Sequence, residues 1–254
     1  MPKVAVDIIA EVASNHGGSM TLAKEFIWRF AEAGADFVKF QHTRVRHLRP
    51  DDPQFAWFQQ AELSLDQFAE LKTECEKAGT QFLTTIYHPD DLYEVASFGI
   101  SAIKIGSGEA GDSALADAVT AGSWPRIFVS LGLLDNIVHL SPLARRRVRH
   151  EPRAEFLGCV TRYPAPIGIA ATVCHRERIA GWSDHAVGLN ECQAALAMGA
   201  RVIEKHVKLD HQARAPQPWE ASVEEIAALR RFADDDPAAK YRGRWQFAST
   251  TSAD

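Results

Sequence analysis

The stretch LAMGARVIEKH, residues 196–206, contains the pattern that decides the fold. An apolar helical segment ends at Gly199, a residue suited to the left-handed cap that closes a helix. A short β-branched strand follows and turns charged at Glu204. The same order recurs in four other stretches, FAEAGADFVKFQ (30–41), CEKAGTQFLTTIY (75–87), ASFGISAIKIGS (96–107) and VTAGSWPRIFVSLG (119–132). We predict that Gly34, Gly79, Gly99 and Gly122 cap helices in the same way.

Regular alternation of helix and strand predicts parallel strands joined by right-handed crossovers. Helical periodicity is clear over 20–33 and 64–78, and Ser64 with Gln67 and Ser222 with Glu225 form predicted capping boxes. The predicted strands are 5–11, 36–41, 80–86, 101–106, 126–131, 155–160, 179–183 and 201–206. Eight such units in about 250 residues are typical of a single-domain α/β protein with a closed (β/α)₈ TIM barrel.

An open, doubly wound sheet is the alternative fold. It would favour a glycine-rich dinucleotide fingerprint after a strand. The only match in spacing is GSGEAG, residues 106–111, where the carboxylate of Glu109 would repel a pyrophosphate. The barrel is therefore the preferred prediction.

The composition limits the function classes. The chain has 254 residues and a net charge of −5, so we expect no nucleic-acid partner. It contains no apolar run of about 18 residues, so we expect no membrane span. The four cysteines are far apart, which argues against a zinc cluster and favours reduced, buried thiols in a cytoplasmic protein.

Polar and ionisable residues stand at the carboxyl end of every predicted strand. In a (β/α)₈ barrel this end carries the active site. Two lysines, Lys39 and Lys104, together with nearby hydroxyl groups, are suited to a ligand with a phosphate and a carboxylate. His185 and His206 follow adjacent strands and can share a divalent cation, with Glu11 close enough to join them or to act as a base. Glu204 has an alternative interpretation, pairing with a neighbouring lysine inside the barrel.

At these residues the chain resembles the sialic acid synthase family, the N-acetylneuraminate synthases that use phosphoenolpyruvate. The matching stretches, in the family's order, are IIAEVASNHGGS (8–19), AGADFVKFQ (33–41), FLTTIY (82–87), AIKIGSGE (102–109), VSLG (129–132), YPAP (163–166), GWSDHAVG (181–188) and ARVIEKHVKLD (200–210). The resemblance implies condensation of phosphoenolpyruvate with an aldehyde or aldose, giving a 2-keto-3-deoxy acid and phosphate.

The resemblance also implies roles for individual residues. It assigns phosphoenolpyruvate binding to Lys39, Thr85, Lys104, Ser107, Ser130 and Ser183. It assigns a divalent metal, Mn²⁺ with Mg²⁺ or Co²⁺ as alternatives, to His185 and His206. Glu11 would lie beside the metal, and Gln41, Glu109 and Tyr163 would face the acceptor. We expect Glu11, Glu109 and Lys39 to be catalytic.

The sequence departs from the family on the acceptor side. We expect a barrel over 1–233 and a polar tail over 234–254, without the family's antifreeze-like domain. RAPQPWEAS (214–222) replaces the family's Gly-Pro-Asp segment and places Pro218 where a sugar-binding acid is expected. We therefore predict an acceptor other than N-acetylmannosamine.

Two alternatives stay open beside this function. Lys104 or Lys205 could form a Schiff base, as in metal-independent aldolases. Alternatively, a barrel alone could be a binding subunit that a partner chain completes. A homodimer is compatible with the resemblance, but the sequence does not locate an interface.

Overall fold

The computed structural model describes residues 5–132, 151–177, 179–235 and 237–238. Eight parallel strands close into a barrel in sequence order, and the predicted fold is confirmed. The strands are β1 (Asp7–Ala13), β2 (Phe37–His42), β3 (Gln81–Ile86), β4 (Ala102–Ile105), β5 (Arg126–Gly132), β6 (Ala154–Cys159), β7 (Gly181–Asp184) and β8 (Val202–His206). β1 begins and ends two residues later than predicted, so Glu11 lies inside the strand and not at its last position.

Among the described residues, helices connect consecutive strands and cover the outside of the barrel, while most of the connection between β5 and β6 lies outside this part of the chain. The helices are α1 (Met20–Glu32), α2 (Phe55–Ala61), α3 (Leu65–Ala78), α4 (Leu92–Ala96), α5 (Ser113–Ala121), α6 (Ala170–Glu177), α7 (Asn190–Ala197) and α8 (Val223–Asp234), with 3₁₀ turns at Val45–His47 and Pro89–Asp91. Both predicted capping boxes are present, at the starts of α3 and α8.

Four of the five predicted glycine caps have a positive φ, and one prediction is wrong. Gly34, Gly79, Gly99 and Gly199 have φ between 59° and 95°. Gly122 instead has φ −77° and ψ 166°, an extended conformation that follows the end of α5. The indole of Trp124 lies where a side chain at Gly122 would stand, 2.3 Å from an added Cβ, so close packing explains this glycine.

The barrel interior contains an apolar layer that lies at or before the middle of most strands. One buried residue from each of seven strands contributes to it: Ile9, Phe37, Leu83, Ala102, Phe128, Leu157 and Val202. We call this layer the floor. A second and larger core fills the space between the strands and the helices, and the fully buried Trp182 and Phe30 belong to it.

The described residues include only the start of the predicted tail. α8 continues to Asp234, one residue beyond the predicted boundary at 233. Apart from residues 234, 235, 237 and 238, the predicted tail 234–254 lies outside the described residues. Within the described part of the chain, no helix has the length and apolar character needed to cross a membrane.

Candidate active site

The site begins two residues beyond the floor on the seven strands that contribute to it, and two residues beyond Gly181 on β7. Because side chains alternate between the two faces of a strand, a step of two residues keeps a side chain inside the barrel. The residues at this step are Glu11, Lys39, Thr85, Lys104, Ser130, Cys159, Ser183 and Glu204, and each has at most 4% of its surface exposed. The barrel interior therefore changes from apolar to polar in one step, at the carboxyl ends of the strands.

A cavity opens above this polar layer, and it contains about 490 Å³ of space when its open mouth is included. All twelve predicted site residues line it: Glu11, Lys39, Gln41, Thr85, Lys104, Ser107, Glu109, Ser130, Tyr163, Ser183, His185 and His206. Tyr87, Cys159 and Glu204 complete the polar lining.

The two lysines are held by carboxylates at the base of the cavity. Lys39 Nζ lies 2.6 Å from Glu204 Oε1 and 2.9 Å from Glu11 Oε2, and it donates a hydrogen bond to Thr85 Oγ1 at 2.7 Å. Lys104 Nζ lies 3.3 Å from Glu204 Oε2 and donates to Ser130 Oγ at 2.8 Å. Glu204 therefore bridges both lysines, as the alternative interpretation of this residue predicted.

Burial and charge shift the pKa values of this cluster in different directions. Burial raises the pKa of Glu11 to about 7, against the opposing effect of Lys39. Burial alone would raise the pKa of Glu204, but Lys104 and Lys39 outweigh it and lower that pKa. Burial lowers the pKa of Lys104, whereas Glu11 and Glu204 raise the pKa of Lys39 despite its burial. Near neutral pH the cluster thus holds two unlike carboxyl groups, one ionised and one poised to exchange a proton.

The two predicted metal ligands face each other across the cavity, with ring centroids 5.4 Å apart. His185 Nδ1 lies 2.7 Å from the carbonyl oxygen of Val160, so Nδ1 must be the donor and Nε2 keeps its lone pair. The hydroxyl of Tyr163 donates to that lone pair at 2.8 Å. Burial lowers the pKa of His185 to about 4 and that of His206 well below its usual value, so both rings are neutral at pH 7.

These properties fit a divalent cation. Neutral imidazoles bind such ions, and a backbone carbonyl commonly fixes the tautomer of a ligating histidine. His206 Nδ1 is buried without a hydrogen-bond partner among the residues that the structure describes. In the same part of the chain, no group of three or more His, Cys, Asp or Glu is arranged to hold a metal ion. Two histidines would therefore hold the ion, and substrate or water would supply the other positions.

Aromatic rings line the cavity on the side of β8, and Trp219 packs against one of them from beside the cavity. Tyr163 packs against His185, His206 and Trp219, with centroid distances of 4.0, 5.7 and 5.5 Å. Trp219 belongs to the loop between β8 and α8, in the segment that departs from the family pattern. The neighbouring Glu220 is buried and fixes this loop. It accepts hydrogen bonds from Asn15, Arg214, Gln212 and the backbone of Gln217.

Lys205, one of the two Schiff-base candidates, lies outside the cavity. Its side chain points away from the barrel interior, where Nζ contacts Asp184 Oδ2 at 2.6 Å. The Schiff-base alternative is thus restricted to Lys104. His42 also faces outward and packs against Phe68, with ring centroids 5.1 Å apart.

Sequence reasoning missed two residues that line the cavity, Tyr87 and Cys159. Tyr87 stands two residues after Thr85, so the two-residue step identifies it. Cys159 occupies the polar layer of β6, although the sequence suggested only a structural thiol. Burial raises the pKa of this thiol to about 11, so it is protonated at neutral pH.

Comparisons with known proteins point to one family. The sequence model of the NeuB family matches residues 26–235. The chain is 30% identical over 240 residues to the N,N'-diacetyllegionaminic acid synthase of Campylobacter jejuni, which covers 85% of this chain and 71% of that protein. It is 28% identical over 230 residues to the N-acetylneuraminate-9-phosphate synthase of Drosophila melanogaster, which covers 81% of this chain and 61% of that protein.

A solved structure shares the fold. The N-acetylneuraminic acid synthetase of Leptospira borgpetersenii, crystallised with citrate, superimposes with a TM-score of 0.82. The match covers 96% of this chain and 88% of that chain at 23% identity, and it supports the barrel architecture alone.

Proposed function

This chain belongs to the NeuB family, and we propose that it condenses phosphoenolpyruvate with an aldehyde acceptor, giving a 2-keto-3-deoxy acid and phosphate. The family and the enzyme class predicted from the sequence motifs, a sialic-acid-synthase-like transferase, are confirmed by this match. The observation that carries the proposed reaction is the cavity itself, in which two buried lysines lie below two neutral histidines.

In this proposal the lysines seat phosphoenolpyruvate. Lys39 and Lys104, with Thr85, Ser107, Ser130 and Ser183, bind its phosphate and carboxylate and fix the enol carbon toward the acceptor. Holding two reactants in a productive geometry removes much of the entropic part of the barrier. Buried cations also stabilise the charge that develops on the departing phosphate more strongly than water would.

The bonds change in a balanced sequence. C3 of phosphoenolpyruvate attacks the aldehyde carbon, water adds at C2, and the bond between C2 and the phosphate oxygen breaks. Glu11, with its pKa raised to about 7, is suited to exchange a proton with water near neutral pH. Glu109, whose pKa burial also raises, would donate the proton that the aldehyde oxygen takes up as the carbon–carbon bond forms. The proton that water releases on adding at C2 restores the balance.

We include a divalent metal, Mn²⁺ with Mg²⁺ or Co²⁺ as alternatives, in the proposal. His185 and His206 would hold it, supported by the fixed tautomer of His185 and the unpartnered Nδ1 of His206. When bound, such an ion polarises a carbonyl group as a Lewis acid.

The acceptor is the part of the proposal that departs from N-acetylmannosamine. The loop between β8 and α8 presents an indole, Trp219, beside Tyr163 instead of an acidic side chain. Aromatic faces are negative, so they pack against the apolar face of a sugar or an acyl group and disfavour an anionic group. We therefore propose an aldose or small aldehyde with an apolar face, bound between these rings and the polar groups of Gln41 and Glu109.

The proposed reaction predicts a direct assay. The protein, incubated with phosphoenolpyruvate, Mn²⁺ and a panel of aldoses and small aldehydes, should release phosphate with at least one acceptor, and a chelator should abolish the release. Phosphate release by folded protein that is insensitive to chelator would contradict the metal. Binding of phosphoenolpyruvate without turnover by any acceptor would favour the binding-subunit alternative.

A second prediction concerns Trp219. Replacing it with alanine should raise KM for the acceptor by about 10-fold or more, since loss of one aromatic contact costs about 0.5–1.5 kcal/mol beyond the buried area. KM for phosphoenolpyruvate should stay unchanged, because Trp219 packs against Tyr163, whereas the lysines are held by Thr85, Ser130 and Glu204. The conservative variant Trp219→Phe is the matched control and should retain most of the acceptor affinity. Equal effects on both substrates would show that Trp219 supports the fold and not the acceptor.

A further inference from the structure

A buried ion pair lies directly behind the two histidines, on the outer face of the barrel. Asp184 and Lys205 are register partners on β7 and β8, and each is only 1% exposed. Lys205 Nζ donates to Asp184 Oδ2 at 2.6 Å and to the carbonyl oxygen of Ala186 at 2.5 Å. Asp184 Oδ1 accepts from the backbone N–H of Ala186 at 2.9 Å, and Cys192 of α7 donates to Oδ2 at 3.1 Å.

These contacts enclose the backbone of one histidine and adjoin the other. His185 stands between Asp184 and Ala186, so both of its chain neighbours are tied to the same ammonium group. His206 follows Lys205 directly in β8, so the backbone of His206 cannot move far unless Lys205 moves with it. We call Asp184 and Lys205 the clamp. It joins the two segments that carry the imidazoles, from the side opposite to the cavity.

We propose that the clamp is a positioning device which sets the separation of His185 and His206 and thereby their affinity for a divalent cation. The inference rests on the proposed function, because it assumes that the histidines hold a metal. It adds two residues, Asp184 and Lys205, that do not touch the cavity.

Stability alone does not account for the clamp. A buried ion pair is usually no more stabilising than apolar side chains of similar volume in the same place. The ion pair instead fixes the register of β7 against β8, because Lys205 can reach both the Asp184 carboxylate and the Ala186 carbonyl only in this one register. Partners that orient a metal ligand commonly contribute about 10–100-fold to metal affinity.

The test separates the two roles with an apolar replacement. The double variant Asp184→Leu/Lys205→Met should fold with a melting temperature near that of the wild type, but it should bind Mn²⁺ about 10–100-fold more weakly. Mn²⁺ binding is measured on the protein alone by the electron paramagnetic resonance signal of the free ion. A crystal structure of the metal-free double variant should show the ring centroids displaced from 5.4 Å by more than about 0.5 Å.

Two control variants show what loss and retention of Mn²⁺ binding look like in this assay. His185→Ala should lose Mn²⁺ binding, which tests the metal assignment itself. Arg230→Met removes a different pair, with Asp36, at the amino-terminal ends of β1 and β2, and should leave Mn²⁺ affinity unchanged. If the double variant does not fold, Asp184→Asn, which keeps the shape and loses the charge, should give a smaller loss of affinity in the same direction.

The outcomes distinguish this inference from the proposed function. A folded clamp variant with wild-type Mn²⁺ affinity and unmoved rings would overturn the clamp and leave the metal site intact. A wild type that binds no Mn²⁺ would refute the metal assignment, and the ring separation in the crystal structure would then decide the clamp by itself.

Discussion

Replacing Lys104 with methionine is expected to lower kcat/KM for phosphoenolpyruvate by about 10²–10³-fold, the usual effect of removing one charged donor from a preorganised site. Lys104 is 3% exposed, and its ammonium group reaches Ser130 and Glu204 at the base of the cavity. Without it, Glu204 keeps only one of its two cationic partners and its charge opposes an incoming phosphate. Steady-state phosphate release and calorimetric binding of phosphoenolpyruvate measure the two parts of the effect.

Controls for this prediction address folding and the competing chemistry. Lys72→Met removes a lysine on the surface of α3, paired with Glu76, and should not change kcat/KM. Treatment of the wild type with borohydride and a carbonyl substrate should leave no adduct on Lys104. An adduct there would support the Schiff-base alternative, which the lowered pKa of this lysine makes chemically reasonable.

Acidification is expected to unfold this protein well before pH 4. Burial lowers the pKa of His16, His42 and His185 to about 4, from an ordinary value near 6.5. Because the unfolded chain binds protons between these two values and the folded chain does not, stability falls as pH decreases from about 6.5 to about 4. Each histidine contributes roughly 3 kcal/mol, on the order of 10 kcal/mol together, which is comparable to the whole stability of a domain.

One group works in the opposite direction. The carboxyl of Glu11, with its pKa raised to about 7 by burial, is favoured in its protonated form in the folded state. Its contribution to stability is complete below its unfolded pKa and is lost as pH rises through about 7. Between pH 7 and 4.5 this effect offsets roughly the contribution of one histidine to the free energy of unfolding. The three histidines together therefore determine the direction of the change.

Urea unfolding at pH values between about 7.5 and 4.5 tests the balance. The free energy of unfolding should fall steeply on the acidic side. The free energy of unfolding of the variant His42→Gln should fall less steeply, because the variant lacks the contribution of one buried histidine. His42 is fully buried between Arg44 and Glu94 and lies outside the cavity. A wild-type free energy that stays flat over this range, or a slope that His42→Gln does not change, would contradict the prediction.

Much of the fold could be predicted because two local signals agree. The glycines after α1, α3, α4 and α7 close helices in the left-handed conformation, and a β-branched strand follows each of them. Gly122 gave the same signal for another reason, since its lack of a side chain makes room for Trp124. Sequence cannot separate these two uses of glycine, because one depends on φ and the other on a neighbour that tertiary packing brings close.

The candidate site was predictable in its membership and less so in its electrostatics. Polar residues at strand ends identify the residues around the cavity, because every strand of a parallel barrel ends on the same side. That Glu204 binds both Lys39 and Lys104 depends on barrel closure, which brings β2, β4 and β8 side chains to one point. The sequence suggested a cationic pocket, whereas the structure has one in which carboxylates already pair both lysines. The direction of Lys205 follows from strand alternation and could have been predicted.

The proposed catalytic groups that lie within strands face the cavity only because each stands an even number of residues beyond the floor on its strand. Inserting or deleting one residue inside β8 would turn Glu204 and His206 toward the helices and bring Lys205 into the barrel. A single insertion or deletion of this kind would therefore remove the proposed active-site groups of that strand from the cavity. Loops beyond the strand ends are free of this constraint, so the proposed acceptor contacts could change while the residues proposed to bind phosphoenolpyruvate stay in place.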